Sequence, residues 1–148
     1  STTRSDPIMN LAAIATHPWA YPVLEIVHVL GIALLVGNLV LVELRVWGAG
    51  ASIDIRQLSA LCLRLVAAGA TLCVVSGMLM FASQPAELLA NRAFTLKMLL
   101  LALAAGNAVW FHLRDSLGRL DALARAGALV SLLIWISIVS LGRWIAYV

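Results

Sequence analysis

The chain has 148 residues, of which 63% are hydrophobic and 11% charged, with a mean hydropathy of +1.01. That composition excludes an ordinary soluble domain and leaves no room for a soluble catalytic domain beside the apolar runs. A net charge of +3 and a pI near 9.4 do not point to nucleic acid, because the arginines gather at the ends of apolar runs, where they anchor and orient membrane spans.

In chain order, residues 1–21 predict a short N-terminal interfacial segment. Residues 8–15 are apolar enough to lie on the membrane surface, and the mixed polarity of residues 1–16 does not have the pattern of a cleavable signal. His17-Pro18-Trp19-Ala20-Tyr21-Pro22 introduces the first span. Its prolines limit backward extension of a helix, and Trp and Tyr suit the headgroup zone. Four apolar runs then occupy residues 22–47, 57–82, 94–114 and 122–147. Each can cross about 30 Å of hydrocarbon at about 1.5 Å per residue. Gly48-Ala49-Gly50 ends the first run, Asp54 starts the second, Ser83-Gln84-Pro85 marks the connector, and Ser116-Leu117-Gly118 separates the third from the fourth. Such short connections predict antiparallel neighbours. The expected fold is all-α: one integral membrane domain over 1–148, a four-helix bundle of hairpin one (22–82) and hairpin two (94–147).

The two hairpins repeat each other. His28-Val-Leu-Gly-Ile-Ala-Leu-Leu-Val-Gly37-Asn38 and Leu44-Arg45 recur as Lys97-Met-Leu-Leu-Leu-Ala-Leu-Ala-Ala-Gly106-Asn107 and Leu113-Arg114, at an offset of 69 that Arg56 and Arg125 also keep. A duplicated transmembrane hairpin explains this better than coincidence in Leu/Ala-rich sequence. In the first span, Tyr21, Glu25, His28, Gly31, Leu35, Asn38, Val42 and Arg45 recur at spacings of three and four. They form one stripe holding most of that helix's polar groups, which should turn away from lipid. Lys97, Leu100, Ala104, Asn107, Phe111 and Arg114 form the equivalent stripe in the third span. Asn38 and Asn107 are expected to hydrogen-bond across the bundle centre.

Charge orients the spans. Arg45, Arg56, Arg114, Arg119 and Arg125 flank the first and third loops, with Arg64 slightly deeper. Arg4, Arg92, Lys97 and Arg143 belong to the other side. The bias predicts a multi-pass protein of the bacterial inner membrane, with cytoplasmic first and third loops and periplasmic termini. Cys62 and Cys73 sit eleven residues apart on one span, about 16 Å by helical rise, too far for a disulfide within one chain. Small-residue packing is their expected role. The sequence lacks Cys-x-x-Cys-His, which excludes covalently attached haem.

Depth decides which groups can cooperate. His28 lies about 9 Å from the outer end of its span, with Lys97, Met78, Met98 and Arg143 at comparable depth. His112 falls at the other end of the third span, so roughly 20 Å of depth separates it from His28, and the two cannot ligate one haem within one chain. An intramembrane His needs a partner. Neutral imidazole could ligate haem iron or copper, or simply bond to a serine or a backbone carbonyl. Met78 and Met80 offer soft thioether donors or ordinary packing. Lys97 and Arg143 could hold haem propionates, pair with Glu25, or snorkel. Glu43, Arg64, His112 and Arg114 are expected to form a charged cluster at the inner rim, with His112 alternatively serving a second haem or a proton path. His17 is expected to be solvated.

His28-Val-Leu-Gly-Ile-Ala-Leu-Leu-Val-Gly37 resembles the first-helix pattern of CopD-type copper-resistance membrane proteins and of HemJ-type protoporphyrinogen oxidases. Phe94-Thr-Leu-Lys97-Met-Leu-Leu-Leu resembles their later Lys-then-apolar helix. The chain differs from both in lacking a Trp within the first motif and a second His soon after Lys97. Over most of its length it is similar to a bacterial four-span membrane protein family, through His17-Pro-Trp, Phe94-x-x-Lys97, Phe111-His112 and Gly142-Arg143-Trp-Ile-Ala-Tyr147. The resemblance implies a haem b or copper site that uses His28, with Lys97 nearby.

The function expected from the sequence is a b-type haem-binding membrane protein transferring electrons near the outer leaflet. His28 is its metal ligand, Lys97 or Arg143 meets the propionates, and Met78 or Met98 stands on the other axial side. It would have no independent catalytic site, would work with a membrane or periplasmic redox partner, and would form a homo- or hetero-oligomer within the lipid bilayer. Two alternatives stay open: a structural or assembly subunit without its own cofactor, and a copper-handling membrane protein.

Overall fold

The computed structural model describes residues 19–147. Most of the expected interfacial segment, with His17 and Arg4, lies outside the described residues. Within them every regular element is helical: α1 (Ala20–Val46), α2 (Ile55–Ser83), α3 (Pro85–Ala90), α4 (Arg92–Leu113), α5 (Ser116–Arg119) and α6 (Ala122–Trp144), closed by a 3-10 turn over Ile145–Tyr147. Helices α1, α2, α4 and α6 are long and apolar enough to cross a membrane. The chain is a multi-pass membrane protein by this criterion, and its outer surface meets the lipid bilayer.

Capping side chains set where the spans begin. Asp54 accepts from the N–H of Gln57 at 2.8 Å and starts α2 at Ile55. The Asn91 side chain accepts from Ala93 and Phe94 at 2.9 and 3.2 Å, which draws the start of α4 back to Arg92 from the expected Phe94. Asp121 accepts from Ala124 at 2.9 Å and starts α6. Each satisfies backbone donors that a helix start leaves without partners. The connector at Ser83-Gln84-Pro85 opens a short helix, α3, with Pro85 in its first turn, where its missing N–H costs nothing.

Helix α1 packs along α2, α4 along α6, and α1 also meets α6. The α1–α2 seam is the tightest. A Cβ added to Gly69 would lie 2.6 Å from the carbonyl oxygen of Gly31 and 2.7 Å from the nitrogen of Leu35. Backbones touch there because neither residue has a side chain. The α2 side of the seam is small and buried: Ser59, Cys62, Gly69 and Ser76. Both cysteines are free, and Cys62 is enclosed in this face. The α1 side carries Gly31, Leu35 and Val42, the centre of the polar stripe read from the sequence.

The α4–α6 seam is aliphatic, with Ala104, Ile134 and Ile138 at its centre and Leu100, Leu101 and Trp135 around them. Every residue of the second stripe, from Lys97 to Arg114, is at least partly buried. Where α1 meets α6, Val46, Ala124 and Ala128 form a second small core with Phe111 and Leu117. The Trp47 indole N–H donates to the carbonyl of Arg125 at 3.1 Å across the same contact. At the other end Phe81 of α2 stacks on Phe94 of α4, centroids 5.8 Å apart. The expected bond between the two asparagines is not formed. Asn38 donates to Leu34 of its own helix at 2.7 Å, whereas Asn107 reaches across to the carbonyl of Gly127 at 3.3 Å. Asn38 lies on the α1–α2 seam and Asn107 on the α4–α6 seam, so the two amides serve different interfaces.

Candidate ligand site at His28

His28 stands on the α1–α2 seam, one helical turn from the Gly31–Gly69 contact. That contact fixes the register and brings Ser76 and Gly77 of α2 against the ring. His28 Nδ1 lies 2.9 Å from Ser76 Oγ, and Ser76 is 1% exposed. The serine hydroxyl also reaches the carbonyl of Leu72 at 2.6 Å. A carbonyl can only accept, so the shorter bond takes the single hydroxyl proton, and Ser76 Oγ is left to accept from Nδ1–H. A neutral ring in that tautomer carries its free lone pair on Nε2, which has no hydrogen-bond partner among the described residues. The serine-bonded imidazole weighed from sequence is thus the arrangement present, and it leaves the second ring nitrogen open.

Around the ring the backbone comes close. A Cβ added to Gly77 would sit 3.4 Å from His28 Cε1. Cys73 Sγ approaches the carbonyl of His28 at 3.6 Å. The Lys97 amine, on α4, is within electrostatic reach of both His28 and Cys73, and it lies 3.4 Å from where a Gly142 Cβ would stand. It therefore occupies the region where α4, α6 and the first hairpin converge, with no carboxylate paired to it among the described residues. Glu25 is exposed.

The remaining candidates do not converge on His28. Met78 is 67% and Met98 49% exposed on the outer surface of their helices. Met78 follows Ser76 by two residues, about 200° around the helix, so the two side chains point nearly opposite ways. Met80 is half-buried and lies one turn beyond Ser76 on its face. Arg143 is exposed and donates to the Tyr147 hydroxyl at 2.7 Å, with its guanidinium over the same ring. Two shallow, open concavities lie along α4 and α6 around Leu96, Leu141 and Trp144, and neither includes His28. No group of three or more His, Cys, Asp or Glu gathers among the described residues. A haem would find one oriented imidazole and a nearby amine here; among the described residues no second imidazole or thioether is turned toward His28 and no cavity encloses the site.

The charged cluster expected at the inner rim is not assembled. Arg114 pairs with Asp121 at 2.7 Å and lies over the Trp110 ring. The ring of His112 is exposed, its Nδ1 at 2.8 Å from the Ala108 carbonyl, and Arg64 is exposed. Glu43 is 8% exposed, and neither carboxylate oxygen has a hydrogen-bond partner. Helical phase accounts for this: Glu43 sits one residue beyond Val42, about 100° off the α2-facing stripe, and turns toward α6. The part played by Ser76 was readable only once the register of the hairpin was known. The chain matches no protein-family description, no curated protein and no solved structure.

Proposed function

We propose that the chain is a b-type haem-binding protein of the bacterial inner membrane, built as a bundle of two repeated hairpins, that passes electrons near the outer leaflet to a membrane or periplasmic partner. The observation that carries this reading is the His28 ring, held by Ser76 through Nδ1 with Nε2 left free. A second-sphere bond of this kind fixes the orientation of a ligating imidazole and raises its basicity. His28 would hold the iron and Lys97 a propionate, with Arg143 serving the propionates nearer the surface. Haem, when bound, supplies the reversible one-electron couple. The chain's own part is to orient the imidazole, exclude water with the packed α1–α2 seam, and place positive charge at one side. Met78 and Met98 face outward, so either would serve only a group lying between this chain and another, which fits a homo- or hetero-oligomer. The two loops support the repeat: Arg45 holds the first through the carbonyls of Ile53 and Ala51, and Arg114 holds the third through Asp121.

Oxidised and dithionite-reduced spectra of protein purified in mild detergent, with metal analysis on the same sample, test the reading. A Soret band lost in a folded His28→Ala variant supports it. A folded preparation from native membranes with neither haem nor copper overturns it in favour of a structural or assembly subunit without its own cofactor. That second reading is favoured by how little of each span is enclosed; in α4 only 6% of the apolar window is buried. Copper without haem would instead assign His28, with Met78 or Met80, to copper handling.

A further inference from the structure

Glu43 is a buried acidic side chain of the membrane-embedded fold. Both carboxyl oxygens are sealed from solvent, and among the described residues neither has a partner in full hydrogen-bond geometry. The Ser131 hydroxyl of α6 is close enough for a weak hydrogen bond to the carboxyl, which leaves the rest of its capacity unmet. Among the described residues no cationic group compensates it. On α1, Arg45 is committed to loop carbonyls. On α4, Arg114 pairs with Asp121 through Nη2 while its buried Nη1 has no partner, and neither it nor the exposed His112 acts on Glu43. On α2, Arg64 is exposed, and on α6 so is Arg125. An ionised carboxylate in this setting is strongly disfavoured. Among the described residues no cluster of ligating side chains surrounds it to hold a metal ion, and its sealed oxygens leave no room for a hydrated cation. A proton is the one counter-charge small enough to fit.

We propose that Glu43 is an intramembrane proton-binding site at the contact between the two hairpins, occupied by a proton when α1 and α6 are closed on each other. The contact is short: its core is Val46, Ala124 and Ala128 with Phe111 and Leu117 around them, one hydrogen bond from Trp47 to Arg125 lies beside it, and Glu43 precedes Val46 by one helical turn. Releasing the proton leaves a bare carboxylate that only water can solvate, so release requires α1 and α6 to part and uptake allows them to close. The site stands independently of any cofactor at His28.

Infrared spectroscopy of the full chain in lipid bilayers tests this directly, because a protonated carboxylic acid has a carbonyl stretch distinct from the carboxylate bands. The chain has three glutamates, Glu25, Glu43 and Glu87. A Glu25→Gln/Glu87→Gln variant therefore leaves Glu43 alone to carry an isotope-labelled glutamate carboxyl. The expected result is a labelled protonated-acid band at neutral pH, where exposed glutamate is ionised. The band should disappear reversibly at alkaline pH and be absent from Glu43→Gln. A labelled carboxylate band at neutral pH overturns the proposal. If Glu43→Gln does not fold, the labelled band of the double variant decides alone.

Discussion

The two hairpins begin from matched sequences and close in different ways. Hairpin one closes backbone to backbone, with Gly31 against Gly69 and a polar bond from His28 to Ser76. Hairpin two closes through aliphatic side chains around Ala104, Ile134 and Ile138, with Asn107 reaching the Gly127 carbonyl. The matched glycines are not the ones that make the close contact: Gly37 and Gly106 both face open space. What the hairpins share is the loop, where an arginine closes the turn and an aspartate caps the next helix. What separates them is the seam, and the seam decides which hairpin can carry a polar site. His28 is fixed by a close partner helix; its counterpart Lys97 sits where three helices converge and has no fixed acceptor.

Several substitutions sharpen this contrast. Gly69→Val should cost about 3 kcal/mol of unfolding free energy, because its side chain meets backbone that cannot yield. Gly106→Val should stay within about 0.5 kcal/mol. Thermal unfolding in detergent compares them directly, and equal losses would break the distinction between a backbone seam and a side-chain seam. Ser76→Ala removes the acceptor of His28 Nδ1–H and should cost about 1–2 kcal/mol. The equivalent change in hairpin two, Lys97→Met, should leave stability level or raised, since it replaces an amine without a carboxylate partner by an apolar side chain of similar length. Asn107→Ala should lose about 0.6 kcal/mol, the usual worth of an interhelical bond in a membrane, and Asn38→Ala less, because its bond never leaves its own helix.

The smallest effect is the most local. The Asp121 carboxyl is held below the usual carboxylate range, first by the Ala124 N–H it accepts and then by Arg114. A depressed folded value means its contribution is complete above the ordinary aspartate range and fades as pH falls through that lower value. Amide protection factors over residues 115–124, taken relative to the intrinsic exchange rate at each pH, should therefore fall on acidification, and Asp121→Asn should flatten the response. Protection that stays constant with pH in the unaltered chain would show that the cap, rather than its charge, holds the loop.

Hydropathy and punctuation were enough to find the four spans to within about two residues at most ends; Asp54 announces one start in the sequence itself, whereas the caps at Asn91 and Asp121 were recognised only in the structure. The second stripe, 97 to 114, was legible as a face that packs, and so was the first from position 28 on; Tyr21 and Glu25, which the spacing joins to it, are exposed. Partner choice was not. When every face of a helix is apolar, periodicity shows which residues share a side but not which helix covers it. Asn38 and Asn107 were therefore joined in expectation and lie on separate seams. The same limit hid Glu43, whose one-residue offset from the stripe was visible but could be interpreted only with α6 in place. The outward-facing Met78 was readable from its two-residue spacing after Ser76, a spacing that turns a side chain to the far face of a helix.

Each hairpin buries its closest contacts within itself, and that division has a consequence for how the protein is made. A ribosome releasing α1 and α2 exposes a pair that already holds its glycine contact, its serine–histidine bond and its first loop latch. That pair can settle in the bilayer as a finished unit before α4 is synthesised. The second hairpin would dock later, through the few residues near Val46, and would cover Glu43 last. The order of synthesis would then also be the order in which the interior is closed.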